Sequence, residues 1–365
     1  MRFKEYKDDW IIDDIGNVIS IDCPKYNPLK GKNIYPCIEL DNLDQETGIL
    51  LNTYNSKNQN SIKNKFEKEN ILYGKLRPYL KKYFYPNFEG VCSTEIWVMK
   101  SIKLLPKWIY YFVQTDYFSN LTNISSGSKM PRADWNYIKN ELIYYPKNSQ
   151  EAMKIADMLE TIDKRIQTQI KIIEDYIYLN KCIINELIIN LEEYTECYIS
   201  DIAKIGRGRV ISSKEINKQL KPIYPVYSSQ TSKNGIMGYL DQYEFDGEYI
   251  TWTTDGANAG TVYYRNGKFN CTNVCGTLKI NKENDTFFVS KVLSCTTSSY
   301  VSKNLANPKL MNNVMAKIKI KLPSLDKQRE FSKIIKSIEK KIKYEKDLLD
   351  LLKSQKNYFL KNLFI

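Results

Sequence analysis

The chain has 365 residues, 42% of them hydrophobic, with 28 tyrosines and a formal net charge of +12. That is enough apolar material for folded cores, and it excludes a disordered composition. Its eight cysteines are scattered and histidine is absent, and the closest pair, Cys271 and Cys275, has no second pair at ligand spacing, so a metal site is not expected.

No uncharged apolar run approaches the ~20 residues of a membrane span, and Met1 to Asp9 carries no apolar signal core. The expectation is a cytoplasmic protein with reduced thiols.

Residues 1–147 read as a first globular half. Trp10 to Gly16 reads as an entry turn and short helix, followed by short strands broken by Pro24, Pro28, Gly31 and Pro36, then a strand over Pro36–Leu40. A further strand stops at Gly74. A proline-punctuated loop after it presents Lys75, Arg77, Lys81 and Lys82, interleaved with Tyr73, Tyr79 and Tyr83. Lysine and arginine contact phosphates, and arginine also reads guanine edges bidentately. Cys92–Met99 returns as a strand, and Pro106–Phe118 reads as one amphipathic helix that is core rather than site. The Gly/Ser loop from Ser125 to Trp135 carries Lys129 and Arg132, and the strand Leu142–Pro146 closes the half.

Residues 148–193 read as a long helix with an a/d apolar seam. The chain writes this helix a second time over 324–365. Ile155, Leu159, Ile162, Ile166, Ile173 and Leu187, each moved on by 176, become Phe331, Ile335, Ile338, Ile342, Leu349 and Leu363. In an antiparallel coiled coil whose facing numbers sum to 525, Ile162 meets Leu363, Ile166 meets Phe359 and Ile173 meets Leu352. Ile183 then meets Ile342, and Leu187 meets Ile338. The same register sets Gln169 against Lys356 and Asn180 against Glu345, polar breaks that can fix register. Residues 150–193 carry five basic and nine acidic side chains, and residues 324–361 eleven basic and six acidic. The basic surplus therefore sits on the non-helical halves, where a polyanion would bind.

Residues 194–323 form the second half. Ile205 to Val210 places Arg207 and Arg209 on a flexible loop; it is no dinucleotide fingerprint, because Ile211 stands where a third glycine would fall. Ser229 and Gln230 offer side chains able to hydrogen-bond base edges. Tyr249 to Arg265 reads as strand, Gly-rich turn and strand, with Thr254, Asp255 and Asn258 on the turn and Arg265 beyond. Pro131 to Pro146 spans 15 positions, as does Pro308 to Pro323, and a basic residue follows the first proline in both, Arg132 and Lys309. The chain is thus an internal duplication.

Intrinsic chemistry finds little support. The Asn-Pro pairs at 27–28 and 307–308 lack the second proline of an amino-methyltransferase motif, there is no phosphate-binding Gly-x-x-x-x-Gly-Lys-Ser/Thr loop, and the usual general base, histidine, is missing.

The order half, helix, half, helix, with Tyr73-Gly-Lys-Leu-Arg-Pro in the first half and Tyr249-Ile-Thr-Trp-Thr-Thr-Asp-Gly-Ala-Asn-Ala-Gly in the second, resembles the specificity subunits of type I restriction–modification systems over essentially the whole chain. The resemblance implies an α+β fold: two pseudo-symmetric globular target recognition domains separated by two long helices forming an antiparallel coiled coil. It implies a non-catalytic subunit that recognises a bipartite site in double-stranded DNA. The helices would dock two modification subunits, adenine methyltransferases using S-adenosylmethionine, with a restriction motor-nuclease as a further partner; no cofactor is expected on this chain. One departure is visible. Family helices often open with Glu-Gln after the proline, whereas here Gln150-Glu151 and Lys327-Gln328 stand there. The competing reading is a basic coiled-coil scaffold binding nucleic acid without sequence specificity.

Overall fold

The computed structural model describes residues 3–124, 130–302 and 307–364. Its packing divides into two units, residues 1–170 with 347–365, and residues 171–346. Lys129 lies outside the described residues.

In the first unit the strand Ile96–Ser101 lies between Ile19–Ser20 and Ile71–Gly74, with Tyr83–Phe84 beyond. Side chains on a strand alternate between faces. Trp97 and Met99 therefore enter a core with Tyr73, Trp108 and Phe118, while Ile96 and Val98 enter a second with Phe66, Leu72 and Cys92. A strand covered on both faces reads as an unbroken apolar run, which is why Ile96 to Met99 are all buried. A five-stranded sheet, in the order Lys25–Tyr26, Lys63–Phe66, Gly90–Cys92, Pro36–Ile38 and Tyr54–Asn55, supplies Phe66, Cys92 and Ile38 to the second core.

Four local expectations are corrected here. Trp10–Asp14 is a strand antiparallel to Leu142–Pro146, and helix begins only at Ile15. The strand from Pro36 ends at Ile38, because Asn42 accepts the Glu39 amide and tightens Leu40–Asn42 into a 3₁₀ turn. Ser93 to Glu95 forms a bend that separates Cys92 from the strand beginning at Ile96. Pro106–Phe118 is two helices, Pro106–Phe112 and Asp116–Asn123. Thr115 breaks them by accepting the Phe118 amide at 3.2 Å as an N-cap.

The second unit repeats this plan. Its four-stranded sheet runs Ala203–Arg207, Cys275–Ile280, Tyr249–Thr253, Val262–Arg265. The central register is the same: Ile96 faces Gly74 and Met99 faces Ile71, while Cys275 faces Thr253 and Leu278 faces Ile250, each number 179 higher. Thr195–Tyr198 with Lys319–Leu322 repeats the outer ribbon. Ile250, Trp252, Leu278 and Ile280 enter a core with Phe287, Phe288 and Leu293. The opposite face departs, because Thr251 and Thr277 stand where the first unit has Leu72 and Val98. Ile205 to Arg207, expected on a loop, completes the edge strand paired with Cys275–Ile280, leaving only Arg209 on the loop.

The long helices are Ser149–Ile189 and Leu325–Leu363. Asn148 caps the first, accepting the Gln150 amide at 2.9 Å. Within the first unit, Leu159 shares a core with Leu360 and Leu363, and Asp163 pairs with Lys356, so rising numbers on one helix meet falling numbers on the other. Within the second unit, Ile184 is joined by Ile335, with Leu187 and Phe331 against them. Of the expected seam residues, Ile162, Ile173, Leu352 and Leu363 are buried, and Ile166, Ile183, Leu187, Ile338, Ile342 and Phe359 are half-buried.

One detail of the seam differs from the heptad reading. Ile184 rather than Ile183 is the buried residue at its layer, as drift of a 3.6-residue turn against a seven-residue repeat produces. Polar residues of the seam are engaged as follows. Lys356 binds Asp163, Glu345 pairs with Lys341 of its own helix, and Asn180 leaves a buried Oδ1 without a hydrogen bond.

Candidate nucleic-acid interface

The interface of the first unit is built at the end of the strand Ile71–Gly74. Lys75 donates its amide to Glu95 O at 2.9 Å and accepts from the Ala133 amide at 2.9 Å, and Arg77 donates to Pro131 O at 2.8 Å. Leu76 and Arg132 thereby form an antiparallel bridge, so two basic motifs far apart in sequence become one surface. Arg132 donates Nε and Nη2 to the two oxygens of Glu95 at 3.0 and 3.2 Å. That hydrogen-bonded carboxylate raises the guanidinium pKa. Arg77 is exposed in the left-handed region (φ 52°, ψ 59°), and it has no ion-pair partner among the described residues. Tyr79 is exposed beside it and Lys75 is half-buried. Lys81 pairs with Asp116 at 3.3 Å. Lys82 departs from its expected role: it turns inward and donates Nζ to Leu40 O at 2.6 Å.

The second unit makes the same stitch. Thr254 donates its amide to Val274 O at 2.9 Å, Leu310 donates to Thr254 O at 2.9 Å, Gly256 donates to Pro308 O at 3.0 Å, and Asp255 bridges Lys309. Lys309 thus occupies the place of Arg132. Asp255 accepts from Arg207 Nη2 at 3.2 Å and lies 3.8 Å from Lys309 Nζ. Arg207 also donates Nε to Asn273 O. Arg209 is held by Glu215 and Glu244. The hydrogen bond to Glu215 raises the Arg209 pKa and lowers that of Glu215. Asn258 is exposed on the same turn, its carbonyl accepting the Thr261 amide at 3.1 Å. Ser229 is half-buried, and Gln230 commits its side-chain amide to Ile236 O.

Two further expected contacts are corrected. Arg265 is only 4% exposed. It donates Nε to Thr251 at 3.2 Å and Nη2 to Asn234 O at 3.0 Å, and its guanidinium stacks 3.5 Å from the Tyr227 ring centre and 4.3 Å from that of Tyr263. Burial lowers its pKa. It is a core residue that fills the polar face created by Thr251 and Thr277. Thr254 is fully buried: its hydroxyl donates to Asp255 at 2.7 Å and accepts from Arg207 at 3.1 Å. It positions Arg207 and Asp255 and does not itself face outward.

The carboxylates Glu95, Glu215 and Glu244 were not among the expected site residues. Glu95 had a signal: it immediately precedes the strand at Ile96, which pairs with Gly74, so antiparallel pairing sets it beside Lys75. Glu215 and Glu244 had none, because a helical turn and a loop deliver them to Arg209 from 6 and 35 residues away.

Among the described residues, no helix is long and apolar enough to cross a membrane, and no group of three or more His, Cys, Asp or Glu could hold a metal ion.

A family model described as the type I restriction modification DNA specificity domain matches residues 7–175 and again 191–354. The first match ends within the first long helix, and the second begins just after that helix ends. A Mycoplasma pneumoniae protein named as a type I specificity subunit is 42% identical over 161 residues, 44% of this chain and 43% of that protein. The specificity subunit of the type I restriction enzyme MpnII, from the same organism, is 42% identical over 143 residues, 39% of this chain and 43% of that one. This chain thus aligns with less than half the length of these two relatives. Among solved structures, the S subunit of a type I restriction–modification system from M. genitalium has a TM-score of 0.61 at 17% identity, covering 100% of this chain and 99% of that one. A chain from a structure of type I system assembly and conformational transition has a TM-score of 0.62 at 15% identity, covering 97% and 98%. At such identities the likeness is one of fold.

Proposed function

The chain belongs to the type I restriction modification DNA specificity family, and from that membership we propose that it is the non-catalytic specificity subunit of a type I restriction–modification complex. Each unit reads one part of a two-part DNA target. The observation that carries this reading is the repeated stitch at the strand end. It sets Arg132 and Lys309 at matching positions on two different surfaces, beside Arg77 in one and Arg207 in the other. Basic groups at such positions suit a phosphate backbone, while arginine and the neighbouring polar groups read base edges in the major groove. Because the two surfaces carry different side chains, the two half-sites differ in sequence.

The long helices act as the spacer and docking element. A helix of 41 residues is about 60 Å long at 1.5 Å per residue, enough to separate two contacts by one or more turns of duplex. The partners are two adenine methyltransferase subunits carrying S-adenosylmethionine, joined in the restriction-active complex by a motor-nuclease.

The test is to map methylated adenine in DNA from cells carrying this chain with its candidate methyltransferase partner. Methylation confined to a two-part motif with a fixed gap supports the reading. An active, bound partner that leaves no motif-linked methylation replaces it with a scaffold that binds nucleic acid without sequence preference.

A further inference from the structure

Three of the four arginines at the strand-end surfaces are already engaged by carboxylates: Arg132 by Glu95, Arg207 by Asp255, and Arg209 by Glu215 and Glu244. Stability is a weak reason for such pairs, since half-exposed ion pairs contribute little. The geometry also goes beyond a chance encounter of mobile side chains. Glu95 sits on the bend whose carbonyl anchors Lys75, and it meets Arg132 with both oxygens. Asp255 is fixed by the Thr254 hydroxyl as well as by Arg207. Each acid is anchored by its own strand end, independently of the arginine it holds.

We infer that Glu95 and Asp255 are specificity-determining residues, which keep Arg132 and Arg207 out of contact with DNA of arbitrary sequence. The inference rests on the DNA-binding reading above. A phosphate can replace the carboxylate as partner of the arginine, but it leaves the displaced carboxylate facing a polyanion. On generic duplex the exchange therefore gains little, and the arginine stays with its acid. A C·G pair offers guanine O6 and N7 as acceptors for the arginine and the cytosine amino group as a donor to the carboxylate. Such a base pair satisfies both members of the pair at once. The acid thus works by penalising the wrong partner as much as by welcoming the right one.

The effect is read in the salt dependence of binding. Each phosphate neutralised on B-DNA contributes a slope of roughly 0.9 in log K against log salt. The full chain is titrated by fluorescence anisotropy with a random-sequence duplex over a range of salt. Glu95→Gln should tighten binding and steepen the slope by about 0.9, as Arg132 joins the phosphate contacts. Arg132→Gln alone should change little on this DNA, and Glu95→Gln with Arg132→Gln should return to the wild-type slope. Tightening that persists in the double variant would mean simple removal of a negative charge, and it overturns the inference; so does an unchanged slope for Glu95→Gln. Asp255→Asn and Arg207→Gln form an independent second cycle in the other unit, so a folding defect in one leaves the other readable. Discrimination between the duplex pool enriched by the wild-type chain and the random pool should fall several-fold for Glu95→Gln, and unchanged discrimination also overturns the inference. Failure of the underlying reading looks different: the wild-type chain itself then shows no salt-dependent binding to duplex, or binds it but enriches no sequence from the random pool.

Discussion

Lys356 reaches Asp163 at 2.7 Å, with side-chain exposures of only 9% and 15%, joining the two long helices inside the first unit. Tyr111 adds a hydroxyl donor to Asp163 at 3.1 Å, so the carboxylate is held from two sides. A polar pair so placed gives little net stability, but removing one partner strands the other. Lys356→Ala should therefore destabilise the protein by about 3 kcal/mol. Lys356→Met combined with Asp163→Leu should recover most of that loss. Urea melts of the single and double variants check both, and a single-variant loss near zero would mean that water reaches Asp163.

Asp13 gives a pH dependence with a definite sign. Hydrogen bonds from Lys103 at 2.6 Å and Asn17 at 2.8 Å hold its carboxyl down at about 2, against an ordinary value of 3.8. A depressed carboxyl stabilises the folded state above its unfolded value, and that contribution disappears as pH falls through its folded value. Asp13→Asn should thus lower the melting temperature at pH 7. The difference from wild type should shrink as pH falls through ~4 and be lost only below pH ~2. Parallel melts across that range check it; a difference that grows with acid contradicts the assignment.

How much of this was legible in the chain depends on where each constraint comes from. The helices announce themselves locally, since apolar residues at a/d spacing need no knowledge of the fold. The duplication is legible because Pro131 to Pro146 and Pro308 to Pro323 keep one spacing, and these segments prove to be the stitched loop and the closing strand of each unit. Arg265 is a different case. Its burial is decided by Thr251 across the sheet, and by Tyr227 reaching it from a separate sheet. A basic residue at a strand end looks the same in sequence whether it faces water or such a niche. Glu95 is intermediate: its place opposite Gly74 follows from strand pairing, but its partner Arg132 lies 37 residues on.

The niche around Arg265 separates a structural role from a binding one. Arg265→Ala removes two hydrogen bonds and the stacking on Tyr227 and Tyr263, leaving buried Thr251 without its donor. A loss of about 2–4 kcal/mol is expected. At a temperature where the variant remains folded, its salt slope on random duplex should equal that of wild type. A flatter slope would return Arg265 to the set of DNA contacts.

Arg77 carries the opposite signature. Its left-handed conformation (φ 52°, ψ 59°) costs a residue with a Cβ about 1–2 kcal/mol, and such strain is retained where the surroundings and the function demand that side chain. Its amide is tied to Pro131 O and Pro78 follows, so the backbone cannot relax into the ordinary region without breaking the stitch. Arg77→Gly should therefore leave stability unchanged or raise it by up to about 1 kcal/mol, the relieved strain being partly offset by a more flexible unfolded chain. Arg77→Ala keeps the strain and should not stabilise. Both should flatten the salt slope of duplex binding by roughly 0.9, the loss of one phosphate contact. The pair of measurements is diagnostic. A glycine variant that is at least as stable yet binds DNA less tightly identifies a residue retained for its contact, whereas equal binding by all three forms would place the first unit's DNA surface elsewhere.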